Sequence, residues 1–163
     1  MSTASSWSRS GLSEDFEARL FTCLANRRWA HAVAAGQPYR DAHGLFDSAG
    51  ILMETLTDEE WLEAMKAHPR IGERGGDAPA SSEGEQRRAM QGSPETLAAL
   101  AAENRQYEDR FGHVFLIAAS GRTADEILAE LRRRIGNDPA AELEEAKREL
   151  RKIAQLRLAR LVS

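Results

Sequence analysis

HVFLIAAS, residues 113–120, is the stretch on which the fold turns, because its apolar run fits neither a helical face nor an alternating strand. Gly112 and Gly121 bound it. A lone β-strand here would have no ladder partner, and its N–H and C=O groups would be stranded. The run is therefore read as an extended or short helical segment buried among helices, with peptide groups that need partners from side chains or from a ligand. The expected fold is all-α: a single-domain bundle of about seven to eight helices with one irregular buried apolar segment.

Working outward, the rest of the chain carries helix punctuation. Ser13 precedes Glu14, Asp15 and Glu17, and apolar residues recur at Phe16, Leu20, Leu24, Trp29 and Val33 before Gly36, with Asn26 as a break between two helices. Asp41 is expected to cap a helix to Leu56. Thr57-Asp58-Glu59-Glu60 spells a capping box for a short helix ending at His68, where Pro69 stops it. After the glycine-rich loop 71–81, Ser82-Glu83-Gly84-Glu85 spells a second box, leading a helix to about Gln91. Ser93-Pro94 opens a long helix to Phe111, Thr123-Ala124-Asp125-Glu126 a third box closing at Gly136, and Asp138-Pro139 the last helix. The domain is expected over 13–163, with residues 1–12 frayed.

The bulk numbers exclude several classes. With 163 residues and one cysteine, Cys23, the chain needs no staple and has no intramolecular disulfide, which fits a reducing, cytoplasmic setting. No leader or membrane span is read in it, so no membrane partner is expected. A net charge of −4 argues against nucleic acid. The basic run Arg132-Arg133-Arg134 is read as a solvated face paired with nearby glutamates. His31, His43 and His113 show no ligand spacing, so no metal is expected.

Three polar residues sit awkwardly in a plain bundle. His68 lies seven residues after Trp61 and three after Met65, on the apolar side if the helix reaches it; the bland alternative is a histidine capping the last turn. Arg157 falls within the stripe Leu143, Ala146, Leu150, Ile153, Ala154 and Leu161, so a carboxylate or an anionic ligand should meet it unless it snorkels. Glu85 either closes its capping box or joins a site. A base, an acid and an anion clamp facing one pocket would suit acid/base chemistry on a charged substrate, but spacing alone leaves both accounts open.

From Leu20 to Leu161 the chain resembles the 2-oxo-4-hydroxy-4-carboxy-5-ureidoimidazoline (OHCU) decarboxylase family. The resemblance is carried by Cys23 with Arg28-Trp29-Ala30, His68-Pro69-Arg70-Ile71-Gly72, Ser82 with Glu85-Gln86, and Phe111-Gly112 with Phe115-Leu116-Ile117-Ala118-Ala119. Gly136-Asn137-Asp138 and Leu156-Arg157-Leu158 extend it. It implies an all-helical, cofactor-free carboxy-lyase of urate and purine breakdown, often a homodimer, that makes S-allantoin from OHCU. Under it, His68, Glu85 and Arg157 are catalytic, and Pro69, Ser82, Gln86, Phe115, Leu116, Ile117, Ala118 and Ala119 bind the small-molecule substrate. His113-Val114 stands where many members carry Phe-Pro. The competing readings are a related decarboxylase of another ureido acid and a non-enzymatic helical interaction module.

Overall fold

The computed structural model describes residues 13–71 and 85–162. Among the described residues there are seven α-helices, one 3-10 turn and no strand, so the all-α expectation holds. The expected frayed segment 1–12 and the capping residue Ser82 lie outside the described residues. Two compact units form, Met1–Ala64 with Ile153–Ser163, and Met65–Lys152.

In the first unit, α1 (Ser13–Cys23) and α2 (Arg27–Ala35) are separated at Asn26, whose side chain accepts from the Trp29 N–H at 2.7 Å and so caps α2. Asp41 does the same for α3 (Ala42–Met53) through the Gly44 N–H at 2.8 Å. The helix stops three residues short of the expected Leu56. Thr57 and Glu60 exchange reciprocal bonds of 3.1 and 3.0 Å ahead of α4 (Asp58–Met65), the expected capping box. The apolar periodicity buries Leu20, Leu24, Trp29, Val33, Leu45, Met53 and Trp61, each contributing roughly 1.5–3 kcal/mol. The Trp29 indole N–H donates to the Ala49 carbonyl at 3.0 Å, which satisfies its one polar atom inside that core.

The second unit is built on α5 (Pro94–Phe111), α6 (Ala124–Arg134) and the first part of α7 (Pro139–Leu161). Ser93 caps α5 with Pro94 in its first turn, and Gly112, at φ 79°, ends it in the left-handed conformation that glycine tolerates. Thr123 and Glu126 form the expected box on α6. Leu100, Tyr107, Phe115, Ile117, Ile127 and Leu131 are buried together. Gly92 has no room for a side chain, because a Cβ there would lie 2.4 Å from the Ala124 Cβ.

Three local expectations are corrected. The helix before His68 ends at Met65; His68 follows a turn in which its N–H donates to the Met65 carbonyl at 3.1 Å, so helical spacing does not orient its ring. Residues 86–88 are a turn leading to the 3-10 helix Ala89–Gln91, not a continuous helix. The basic run divides: Arg132 pairs with Glu103 at 2.8 Å, and Arg133 with Glu130 and Glu145, on the solvated side, whereas Arg134 is buried.

Candidate active site

Residues 114–119 adopt neither helix nor strand, yet Phe115, Leu116, Ile117 and Ala119 are buried. Their peptide groups find partners in side chains. The Leu116 carbonyl accepts from Arg134 Nη1 at 2.7 Å, the Ala118 N–H donates to Glu149 Oε1 at 2.9 Å, and the Ala118 carbonyl accepts from Arg122 Nε at 3.1 Å. The held residues alternate, 116 and 118, as every second residue of an extended chain turns its N–H and C=O to one edge. Ile117, between them, has its N–H and C=O engaged by no group among the described residues. A buried donor–acceptor pair left open in this way is suited to an amide-like ligand edge.

A charged cluster backs this strip. Arg134 and Glu142, with side chains 2% and 0% exposed, pair at 2.6 Å. Glu142 also accepts from the Tyr107 hydroxyl and, at 3.1 Å, from Asn137 Nδ2. The guanidinium lies 4.6 Å from the Phe115 ring centroid, a cation–π contact. Burial works against the charge on Arg134, but Glu142 outweighs it. Burial and the Glu142 carboxylate push the Tyr107 hydroxyl well up, so it stays a donor. Burial also opposes the charge of Glu149, yet Lys152 at 2.7 Å and the Ala118 N–H hold its carboxyl below the usual value. His113 stacks on Phe111 with centroids 6.1 Å apart, so the departure from Phe-Pro keeps an aromatic ring beside the strip.

The other residues singled out in the sequence are placed as follows. His68 and Pro69 are half-buried after α4, and Glu85 and Gln86 are buried at 9% and 7% exposure. A glutamate and a glutamine so enclosed are unusual for a surface cap. All four belong to the second unit, as does the strip. Arg157 belongs to the first unit, is 8% exposed, and donates to the Thr22 carbonyl at 3.3 Å. Burial pushes the neighbouring Cys23 thiol up to about 11 against the opposing pull of the Arg157 guanidinium. Such a thiol is inert at neutral pH.

A cavity of about 610 Å³ in the second unit has Arg70, Ile71, Met90, Leu100, Asn104 and Glu108 among its walls, and its described lining includes none of the residues of the strip or the charged cluster. In its wall Arg70 grips Glu108 at 2.7 and 3.0 Å. Among the described residues no group of three His, Cys, Asp or Glu side chains could hold a metal, and no helix is long and apolar enough to cross a membrane.

Sequence reasoning missed Arg134, Glu142, Glu149 and Arg122. The rule applied to Arg157 would have found two of them. Arg134 continues Ile127 and Leu131 on α6, and Glu142 opens the line of Ala146, Leu150 and Ile153 on α7, both at helical spacing.

A family model described as OHCU decarboxylase matches residues 11–159. The uric acid degradation bifunctional protein TTL of Arabidopsis thaliana is 35% identical over 147 residues, covering 86% of this chain but 45% of the plant protein's own length. The 2-oxo-4-hydroxy-4-carboxy-5-ureidoimidazoline decarboxylase of Amia calva is 36% identical over 140 residues, covering 82% of this chain and 79% of that protein. A crystal structure of OHCU decarboxylase in the presence of (S)-allantoin superposes with a TM-score of 0.78 at 33% identity, over 87% of this chain and 95% of the other.

Proposed function

The chain belongs to the OHCU decarboxylase family, and on that premise we propose that it is the carboxy-lyase that converts OHCU to (S)-allantoin and carbon dioxide in urate degradation. The observation that carries the proposal is Ile117. Its N–H and C=O, engaged by no group among the described residues, complement the N–H and C=O edge of a cyclic or open urea, the functional group on which the substrate is built.

The chemistry fits without a cofactor. The bond to the carboxylate breaks, carbon dioxide leaves, and the electron pair passes into the adjacent imidazoline ring. One proton delivered to one face of the ring then completes allantoin. The protein therefore has to bind an anion, steady the developing charge and control one proton. Arg157 is proposed to bind the carboxylate, His68 to exchange a proton with the substrate hydroxyl or carboxyl, and Glu85 to orient the ureido group or His68. Pro69 fixes the backbone behind His68. Ser82, Gln86 and the 115–119 strip are proposed as contacts to the substrate. The proposal extends to a cytoplasmic homodimer, with sedimentation as the check on the assembly.

Freshly generated OHCU, followed by ultraviolet absorbance and circular dichroism, tests the reading. The protein should speed the decay and yield one enantiomer, and His68→Asn should lower the rate on the order of a hundred-fold with the melting temperature retained. Decay no faster than in buffer would overturn the assignment, and full activity in a folded His68→Asn protein would remove His68 from it.

A further inference from the structure

Ile117 is flanked by two peptide planes, and each is pinned at its far end by a buried or half-buried charge. In the plane joining Leu116 to Ile117, the carbonyl is held by Arg134 Nη1 at 2.7 Å; in the plane joining Ile117 to Ala118, the N–H is held by Glu149 Oε1 at 2.9 Å. A trans peptide is rigid, with its C=O and N–H pointing to opposite sides. Fixing the Leu116 carbonyl toward Arg134 therefore fixes the Ile117 N–H the opposite way. Fixing the Ala118 N–H toward Glu149 likewise fixes the Ile117 carbonyl the opposite way.

We propose that Arg134 and Glu149 are positioning residues for decarboxylation, which aim the Ile117 N–H and C=O together at the ureide edge of the substrate. The inference rests on the function proposed above. A carboxylate is an expensive partner for one backbone N–H at this depth, because Glu149 has a side chain only 13% exposed and must be kept ionised by Lys152. What it gives in return is an acceptor at a set reach: Glu149 Oε1 meets the Ala118 N–H at 2.9 Å while Lys152 balances the charge through the second oxygen at 2.7 Å. Arg122 takes the carbonyl of the same residue, so the Ala118 peptide groups are clamped from both sides. Arg134 is locked by Glu142 in the same manner.

Glu149 provides the cleaner test, since Arg134 also stabilises the fold. Glu149→Gln keeps an oxygen at the same reach and should hold the Ala118 N–H, leaving KM for OHCU within about threefold of the wild-type value. Glu149→Asp keeps the charge but is one methylene short, and Glu149→Ala has no acceptor. Both should raise KM about tenfold, the order expected for losing an aimed hydrogen bond, and should weaken (S)-allantoin binding in calorimetry by a similar factor, with kcat changed less. If Glu149 served only the Lys152 pair, the order would reverse, with Glu149→Asp active and Glu149→Gln impaired. That order, or wild-type KM in all three variants, would overturn the proposal. Should Glu149→Ala fail to fold, the comparison of Asp with Gln decides alone. Absence of OHCU turnover in the wild-type protein would instead strike the function on which the proposal rests.

Discussion

Replacing Glu142 by leucine isolates the energetic weight of the cluster behind the strip. The carboxylate is fully enclosed and meets Arg134 Nε at 3.0 Å, Arg134 Nη2 at 2.6 Å, the Tyr107 hydroxyl and Asn137 Nδ2. Leucine fills a similar volume but strands a buried guanidinium, and removing one partner of such a pair costs about 3–5 kcal/mol. At about 2–4 °C per kcal/mol for a chain of this size, the melting temperature should fall by about 6–20 °C. The double variant Arg134→Met/Glu142→Leu removes both charges and should recover about half of the loss. It should still fall short by about 1–3 kcal/mol, because the Leu116 carbonyl loses its partner. Urea denaturation of the wild type, both single variants and the double variant, followed by far-ultraviolet circular dichroism, gives the coupling energy directly. A Glu142→Leu protein within about 1 kcal/mol of wild type, or a double variant that loses the sum of the two singles, would refute the assignment of a tightly coupled buried pair.

Arg157→Leu should abolish OHCU turnover while the melting temperature stays close to wild type, since leucine suits the buried line of Ala154 and Leu158. Arg157→Lys should also fail, because a lysine lacks the planar bidentate grip; an active Arg157→Leu protein would exclude the anion-binding role. Glu85→Gln keeps size and capping capacity but removes the charge, so lost turnover with an unchanged melt would separate an active-site role from a cap, and retained turnover would leave only the cap. Glu60 is held at about 2, below its ordinary 4.5, by the Arg28 guanidinium and the Thr57 N–H. Its contribution to stability is therefore present above about pH 4.5 and lost as the pH falls toward 2, and Glu60→Gln should flatten that limb of a urea-midpoint profile against pH, whereas an unchanged limb would place the acid sensitivity elsewhere.

Local signals carried most of the fold. Asp41, Thr57, Ser93 and Thr123 were legible as caps, and Asn26 as a break, because each acts on the N–H three residues ahead, a relation written entirely in neighbouring sequence. The all-α class followed once the 113–120 run was seen to lack a strand partner, and its need for side-chain partners followed from the same reasoning. The family was likewise legible, in short motifs distributed from Leu20 to Leu161. The helix ends were less so. α4 stops at Met65 and not at His68 although Pro69 marks a boundary, because a proline forbids continuation without fixing how many residues before it still wind.

The partners themselves were decided only by the tertiary structure. Arg132, Arg133 and Arg134 are identical in type and adjacent in sequence, yet two face solvent and the third lies buried against Glu142, because a 100° step per residue carries Arg134 onto the line of Ile127 and Leu131. The sequence alone determined that the apolar centre of the 113–120 run, Phe115 to Ala119, would be enclosed without a ladder and that its peptide groups would need partners, although Ser120 at its end is exposed. It did not determine which groups would supply them. Arg134 and Glu149 lie 18 and 31 residues from the carbonyl and the N–H they hold, and hydrogen bonds of that separation exist only once the chain has packed. That packing, through two rigid peptide planes, fixes the direction of an Ile117 N–H and C=O that no group among the described residues engages.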